Sequence, residues 1–248
     1  ISQISSTLMH MRVLRILLAI CLLLPATVDH LYAADDRTTL ILNRVDDLWR
    51  GDSSFAVVTM QVKTQHYTRT MRMEGWYKGK EKKLFRVLET LREKGSMNLK
   101  SENHIYTYLP KTDRTIRLTS GMMMGSWMGS HLTNDDLVKD STFIDDYDSS
   151  VSFEGERDGV RVYEVSSIPK ADAAVVWGKV VMSIRQDNFA PITASYFDEE
   201  GVQVRIMNFD HIEQIDGRAI PMRMTLIPED KPGESTVVEY KKIAFGMP

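Results

Sequence analysis

From Ser54 almost to the end, the chain repeats one pattern, an apolar residue at every second position broken by short turn signals. Tyr67, Met71, Met73 and Tyr77 fall on one side of an extended segment, and Thr68, Thr70, Arg72 and Glu74 on the other. The same spacing returns in Val180, Met182 and Ile184, in Val202, Val204 and Ile206, and in Met222, Met224 and Leu226. Side chains of a strand alternate between its faces, so each segment predicts a strand with one face buried. Between them stand Lys78-Gly79-Lys80, Arg157-Asp158-Gly159, Glu199-Glu200-Gly201, Asp216-Gly217 and Lys231-Pro232-Gly233. Turns at hairpin spacing join antiparallel neighbours, and no helical crossovers separate the strands, so the pattern predicts an antiparallel meander of about ten to eleven strands.

A sheet of that width has to curl over its apolar face. Little else in the chain can cover it. One helix is expected where Ile41, Leu42, Val45, Leu48 and Trp49 recur at helical spacing, capped by Asp35 or Asp36 and ended by Gly51. A second, short helix is expected near Thr133, where Asp136 three positions on completes a capping box and Asp135 adds negative charge to the first turn. The fold class is therefore mainly β with a few helices (α+β). The architecture expected is an incomplete antiparallel β-barrel covered by an N-terminal helix and a helix/loop lid, with an inner face left partly open.

Fifteen methionines accentuate that inner face. Flexible, polarizable thioethers suit a wall that must fit variable apolar partners. The expected cavity lining is Tyr67, Met71, Met73, Tyr77, Met182, Ile184, Val204, Met222 and Met224. A separate cluster, Met122, Met123, Met124, Trp127 and Met128, is interrupted by Gly121, Gly125 and Gly129 and suits neither a stable helix nor a regular ladder. It reads as an apolar flap, a lid that would occupy the cavity when no ligand does.

The front of the chain indicates the compartment. Arg12 and Arg15 precede an apolar run from Ile16 to Val28, followed by Ala33 and Ala34. This is the order of a secretory signal peptide, too short in its apolar part for a spanning helix. The division expected is upstream residues plus leader over 1–33 and a single domain over 34–248, in the periplasm. Cys21, the one cysteine, follows Ile20 rather than a small residue, and the apolar run continues past it, which argues against a lipid-anchored precursor. A mature chain without cysteine has no disulfides and depends on its core. The formal charge of −3 gives no basic footprint for nucleic acid.

Chemistry finds little support in the residues. The six histidines form no HExxH spacing, and there is neither a GxSxG elbow nor a phosphate loop ending in GK[ST]. Ser130-His131 beside Asp135 and Asp136 is the one cluster resembling a nucleophile with its base, and the acids are accounted for as helix-start residues. No catalytic residue, metal site or cofactor is expected.

Trp127-Met128-Gly129-Ser130 with Thr133-Asn134-Asp135-Asp136-Leu137, preceded by Glu93-Lys94-Gly95 and by Ile105-Tyr106-Thr107-Tyr108-Leu109-Pro110, resembles the LolA/LolB-like periplasmic lipoprotein-carrier superfamily, in particular its outer-membrane lipoprotein-sorting-like subgroup. The resemblance implies a carrier that shelters the acyl chains of a lipid or lipoprotein for transfer towards the outer membrane. Its partners would be that cargo and either an inner-membrane transporter or an outer-membrane acceptor. A periplasmic sensor or adaptor docked to an inner-membrane transporter is the alternative. Two departures stand out. His131 occupies a position where the phrase has an acidic or polar residue, and Lys78, Lys80, Lys82 and Lys83 stand where carriers latch the lid with an arginine.

Overall fold

In the computed structural model the alternating segments become thirteen strands of one antiparallel sheet. They are β1 (Ser53–Lys63), β2 (Thr68–Lys78), β3 (Lys82–Glu89), β4 (Met97–Ser101), β5 (His104–Leu109), β6 (Arg114–Arg117), β7 (Tyr147–Arg157), β8 (Val160–Pro169), β9 (Lys179–Arg185), β10 (Pro191–Phe197), β11 (Gln203–Ile215), β12 (Arg218–Pro228) and β13 (Ser235–Phe245). The structure describes residues 28–89, 93–102, 104–139, 143–173 and 175–247. The chain divides into two units, Ile1–Arg37 and Thr38–Pro248. The leader expected over 1–33 lies outside the described residues as far as residue 27, and the backbone is helical from Val28.

The strand order is β6-β5-β4-β3-β2-β1-β13-β12-β11-β10-β9-β8-β7. Two meanders are thus joined where the first strand pairs with the last, Met60 lying opposite Val238. The count exceeds the ten or eleven expected because β4, β5 and β6 have only five, six and four residues, too few for alternation to register. The tight turns follow the sequence: Asp158-Gly159 and Asp216-Gly217 both take positive φ at the two central positions, as hairpins of this hand require. β6 and β7 are the two edges of the sheet. The segment 118–146 carries the chain from one edge to the other, with α2 (Asn134–Lys139) and α3 (Phe143–Asp146) along it.

The N-terminal helix, α1, spans Val28–Arg50. It begins earlier than expected and leaves Asp35 and Asp36 inside it rather than at its cap, because Ala33 and Ala34 before them favour helix continuation. Its end is as read: Gly51 has φ +55 and donates its N–H to Asp47 O at 3.3 Å. Ile41, Leu42 and Val45 are buried against Val165 of β8 and Ile184 of β9. Trp49 Nε1 donates to Pro221 O of β12 at 3.3 Å, which ties the far end of the helix to the sheet.

β11 corrects the expected phase. Alternation assigned Val204 and Ile206 to the inner face, with Val202 leading, yet Val202 is exposed and Arg205 is buried. Met207 and Phe209 share the inner parity with Arg205. A buried arginine is the physical reason: a charged residue read from sequence as outward-facing finds a carboxylate inside.

Candidate functional site

The inner side of the sheet supports two apolar regions. In the first, Ala56, Val58, Met60 and Val62 of β1 pack with Met71 and Met73 of β2, Val87 of β3, and Ile220 and Met222 of β12. Met60 lies opposite Met71, and Val58 opposite Met73, so the methionines meet across the ladder. Trp127, only 4 % exposed, completes this cluster from the connecting segment. Its ring lies 5.5 Å from that of Phe85, and its Nε1 donates to Asn98 Oδ1 at 3.1 Å. The region is solid.

The second region is hollow. A cavity of about 320 Å³ lies between β9–β13 and the covering helices. Its floor includes Val180, Met182, Tyr196, Met207, Phe209 and Met224, paired across strands as Val180 with Tyr196 and Phe209 with Met224. α1 contributes Leu42, Val45 and Trp49 to the roof, the segment before and within α2 contributes Leu132 and Leu137, and α3 contributes Phe143 and Ile144. A volume near 300 Å³ is at the small end of ligand sites, and the wall is mostly apolar with few polar groups, as such sites usually are.

Of the nine residues expected to line a cavity, Tyr77, Met182 and Met224 do so. Met71, Met73, Met222 and Ile184 are buried in the two packed clusters instead, because neighbouring side chains, Trp127 among them, fill the space over those strands. Tyr67 is exposed at the end of a hairpin, where its hydroxyl donates to Gly129 O at 3.3 Å. Val204 faces away through the phase of β11 described above.

The methionine segment is also placed differently from expectation. Met122 and Met124 are 43 % and 64 % exposed, Met128 packs against the solid cluster, and none of the five expected lid residues lines the cavity. The segment does not fill the cavity in this structure. It is fastened at many points: Asn134 Nδ2 donates to Met122 O, Trp127 N–H to Leu132 O, and Arg69 to Met128 O. Met128 and Gly129 both have positive φ, and a Cβ on Gly129 would come within 2.9 Å of Arg69 Nη2, so glycine leaves room for that arginine to reach the neighbouring carbonyl.

Asp136 is the hub of the fastening. The capping box forms as read, with Thr133 N–H donating to Asp136 Oδ2 at 2.7 Å and Asp136 N–H to Thr133 Oγ1 at 3.2 Å. The same carboxylate receives both arms of Arg205, at 2.8 and 2.6 Å. Arg205 lies against two aromatic rings set edge to face, its Cζ 4.0 Å from the Trp177 centroid and 4.1 Å from that of Tyr196. Burial disfavours its charge, but Asp136 more than offsets this and raises the pKa of the guanidinium above its ordinary value. The lysine-bearing turn contributes as well: Lys83, buried, donates to Leu137 O at 3.3 Å. Latching of this segment is therefore shared by an arginine from β11 and a lysine from β3. Sequence reading missed Arg205, Trp177 and Phe209; the one available signal was the apolar pair Met207 and Phe209 on the parity opposite to Val204.

Ser130 and His131 do not form a nucleophile with its base. Ser130 Oγ donates to Trp127 O at 2.7 Å, while His131 lies between Thr236 Oγ1 at 2.8 Å and Glu234 Oε2 at 2.9 Å. That hydrogen bond, with one from Gln65 N–H, lowers the pKa of Glu234. Among the described residues no group of three or more histidine, cysteine or carboxylate side chains is arranged for a metal ion.

No curated protein matches the sequence. A family model described as "-like: Uncharacterized protein" matches residues 79–248. Among solved structures, a DUF1329 family protein from Desulfovibrio piger is similar with a TM-score of 0.78 and 21% identity, over 86% of this chain and 94% of that one. A LolA superfamily protein from Nitrosomonas europaea gives 0.72 and 21%, over 85% and 94%. A Vibrio parahaemolyticus domain described as an outer membrane lipoprotein-sorting protein gives 0.74 and 20%, over 86% and 94%. At such identities the likeness speaks for the fold alone, one large antiparallel sheet with few helices. The chain belongs to the family of uncharacterized proteins whose model covers residues 79–248, and it is a LolA-like protein in fold.

Proposed function

We propose that the protein is a periplasmic carrier that shelters the acyl chains of a lipid or lipoprotein in the cavity between α1 and β9–β13, for transfer towards the outer membrane. The observation that supports this is the cavity itself, an apolar hollow of about 320 Å³ beside a region of the same sheet that is packed solid. A mostly apolar wall with few polar groups is stabilised by an apolar guest, at about 0.8 kcal/mol for each methylene taken from water. A sixteen-carbon chain then represents on the order of 12 kcal/mol of gross transfer energy, enough to hold it in a soluble carrier. Leu132 and Leu137 make the fastened segment part of the wall, so release of the Arg205–Asp136 fork would open the cavity. The secretory leader read over residues 1–33 fits a periplasmic carrier.

The test is native mass spectrometry of the protein isolated from an envelope fraction, with organic extraction of what it holds. A bound species carrying an acyl chain is expected, and Met182→Trp, which fills the cavity, should abolish it without unfolding the protein. A delipidated protein that takes up no fluorescent fatty acid, or one whose uptake is untouched by Met182→Trp, would remove the proposal.

A further inference from the structure

The cavity is apolar in its walls but not symmetrical in its charge. Arg50, the last residue of α1, lines it and is 6 % exposed. One arm of its guanidinium binds Asp46, the other donates to Lys80 O at 3.5 Å, and its Nε is buried with no hydrogen-bond partner. Lys80 lines the same end, and its Nζ donates to Asn43 Oδ1 at 3.3 Å. Directly behind, Lys100 Nζ donates to Lys80 O at 3.1 Å, and Lys83 lies with its Nζ 5.7 Å from the Tyr77 ring centre. Arg50 and Lys80 therefore line one end of a greasy hollow, with Lys83 of β3 and Lys100 of β4 nearby but not on its wall. Asp46 is the carboxylate that lines the cavity there; Asp135 and Asp136 line it from α2, Asp136 engaged by Arg205.

Concentrated positive charge away from water is costly, and the lysine at its centre registers that cost. Burial, then Arg50 and Lys100, drive the pKa of Lys83 well below its ordinary value. The same end carries two phenols on the cavity wall, Tyr77 and Tyr240. Burial raises both pKa values, that of Tyr240 to about 12, so both remain neutral donors at physiological pH. Cations and hydroxyl donors beside an apolar wall are what an anion on a hydrocarbon chain needs, since a buried anion is tolerated only when paired and hydrogen-bonded.

We infer that the cargo is an amphiphile with an anionic head, a carboxylate or phosphate, held by Arg50 and Lys80 at the α1 end while its chain lies along β9–β13. The inference rests on the carrier reading and names the chemical class that reading leaves open.

The test uses the full delipidated protein and three probes: 11-(dansylamino)undecanoic acid, its methyl ester, and inorganic phosphate at millimolar concentration. The acid should bind about tenfold more tightly than the ester, the scale of one charge-assisted hydrogen bond. Lys80→Met, at an exposed turn, and Arg50→Met should each lower affinity for the acid towards that of the ester and leave the ester unchanged. Phosphate alone should compete weakly. Equal binding of acid and ester, or a preference that survives both substitutions, overturns the anionic head while the carrier stands. Binding of neither overturns both. Tight binding of phosphate by itself would make this an anion site with no role for a chain, and would also overturn the inference.

Discussion

The two apolar regions of the sheet are built from the same residue types and differ in what covers them. Over β1, β2 and β12 the connecting segment inserts Trp127, and the space closes. Over β9–β13 it presents Leu132 and Leu137 from a short helix, α1 lies across, and a cavity of about 320 Å³ is left. The same stretch of chain thus plugs one half of the sheet and roofs the other. Methionine content does not separate the two: Met60, Met71 and Met73 are in the solid region, Met182, Met207 and Met224 in the hollow one. What separates them is whether a ring from outside the sheet fills the layer: Trp127 inserts into the first region, while Trp49 and Phe143 line the second without closing it.

The sharpest way to break that contrast is truncation on both sides. Trp127→Ala should cost about 4 kcal/mol in urea unfolding, the range of large-to-small changes in a packed core, and it also strands the Asn98 side-chain oxygen. Phe209→Ala, whose ring already borders empty space, should cost roughly half as much and act mainly on ligand uptake. Equal costs would show that the second region is no hollow.

Next comes the fork that fixes the roof. Asp136→Asn leaves Arg205 buried with a neutral partner and should cost about 3 kcal/mol, while adding Arg205→Met to that variant should recover part of the loss. A double-mutant cycle read by thermal unfolding measures the coupling. Strict additivity would mean that the pair does not hold the segment.

A smaller effect is expected on the acid limb of stability. The folded-state pKa of Glu234 is lowered, first by the hydrogen bond from His131, so it binds fewer protons folded than unfolded around its ordinary value. Its contribution is then present above the unfolded pKa and is lost as pH falls through the folded one. Glu234→Gln should flatten stability against pH across that acidic window, lowering stability above it and leaving it little changed below; an unaltered acid limb would exclude this pair. The smallest effect belongs to the exposed thioethers. Met122→Ser with Met124→Ser should shift stability by no more than about 0.5 kcal/mol, and a larger loss would place them in a core.

Sequence alone determined the parts governed by local geometry. Alternation and glycine turns specified an antiparallel meander, helical spacing specified the buried stripe of α1, and Thr133 with Asp136 specified a capped helix start. Each signal acts within a few residues, where backbone period and turn sterics leave few choices. The candidate site was legible only in outline, as a methionine-rich inner face with Tyr77, Met182 and Met224 on it. Which face of β11 turns inward was decided by Asp136, some seventy positions from Arg205 along the chain and 2.6 Å away in space. Whether Met71 and Met224 meet a tryptophan or a void was decided by the path of residues 118–146 from one sheet edge to the other. Pairing across that distance depends on where the whole sheet brings groups together, and no periodicity of the sequence records it.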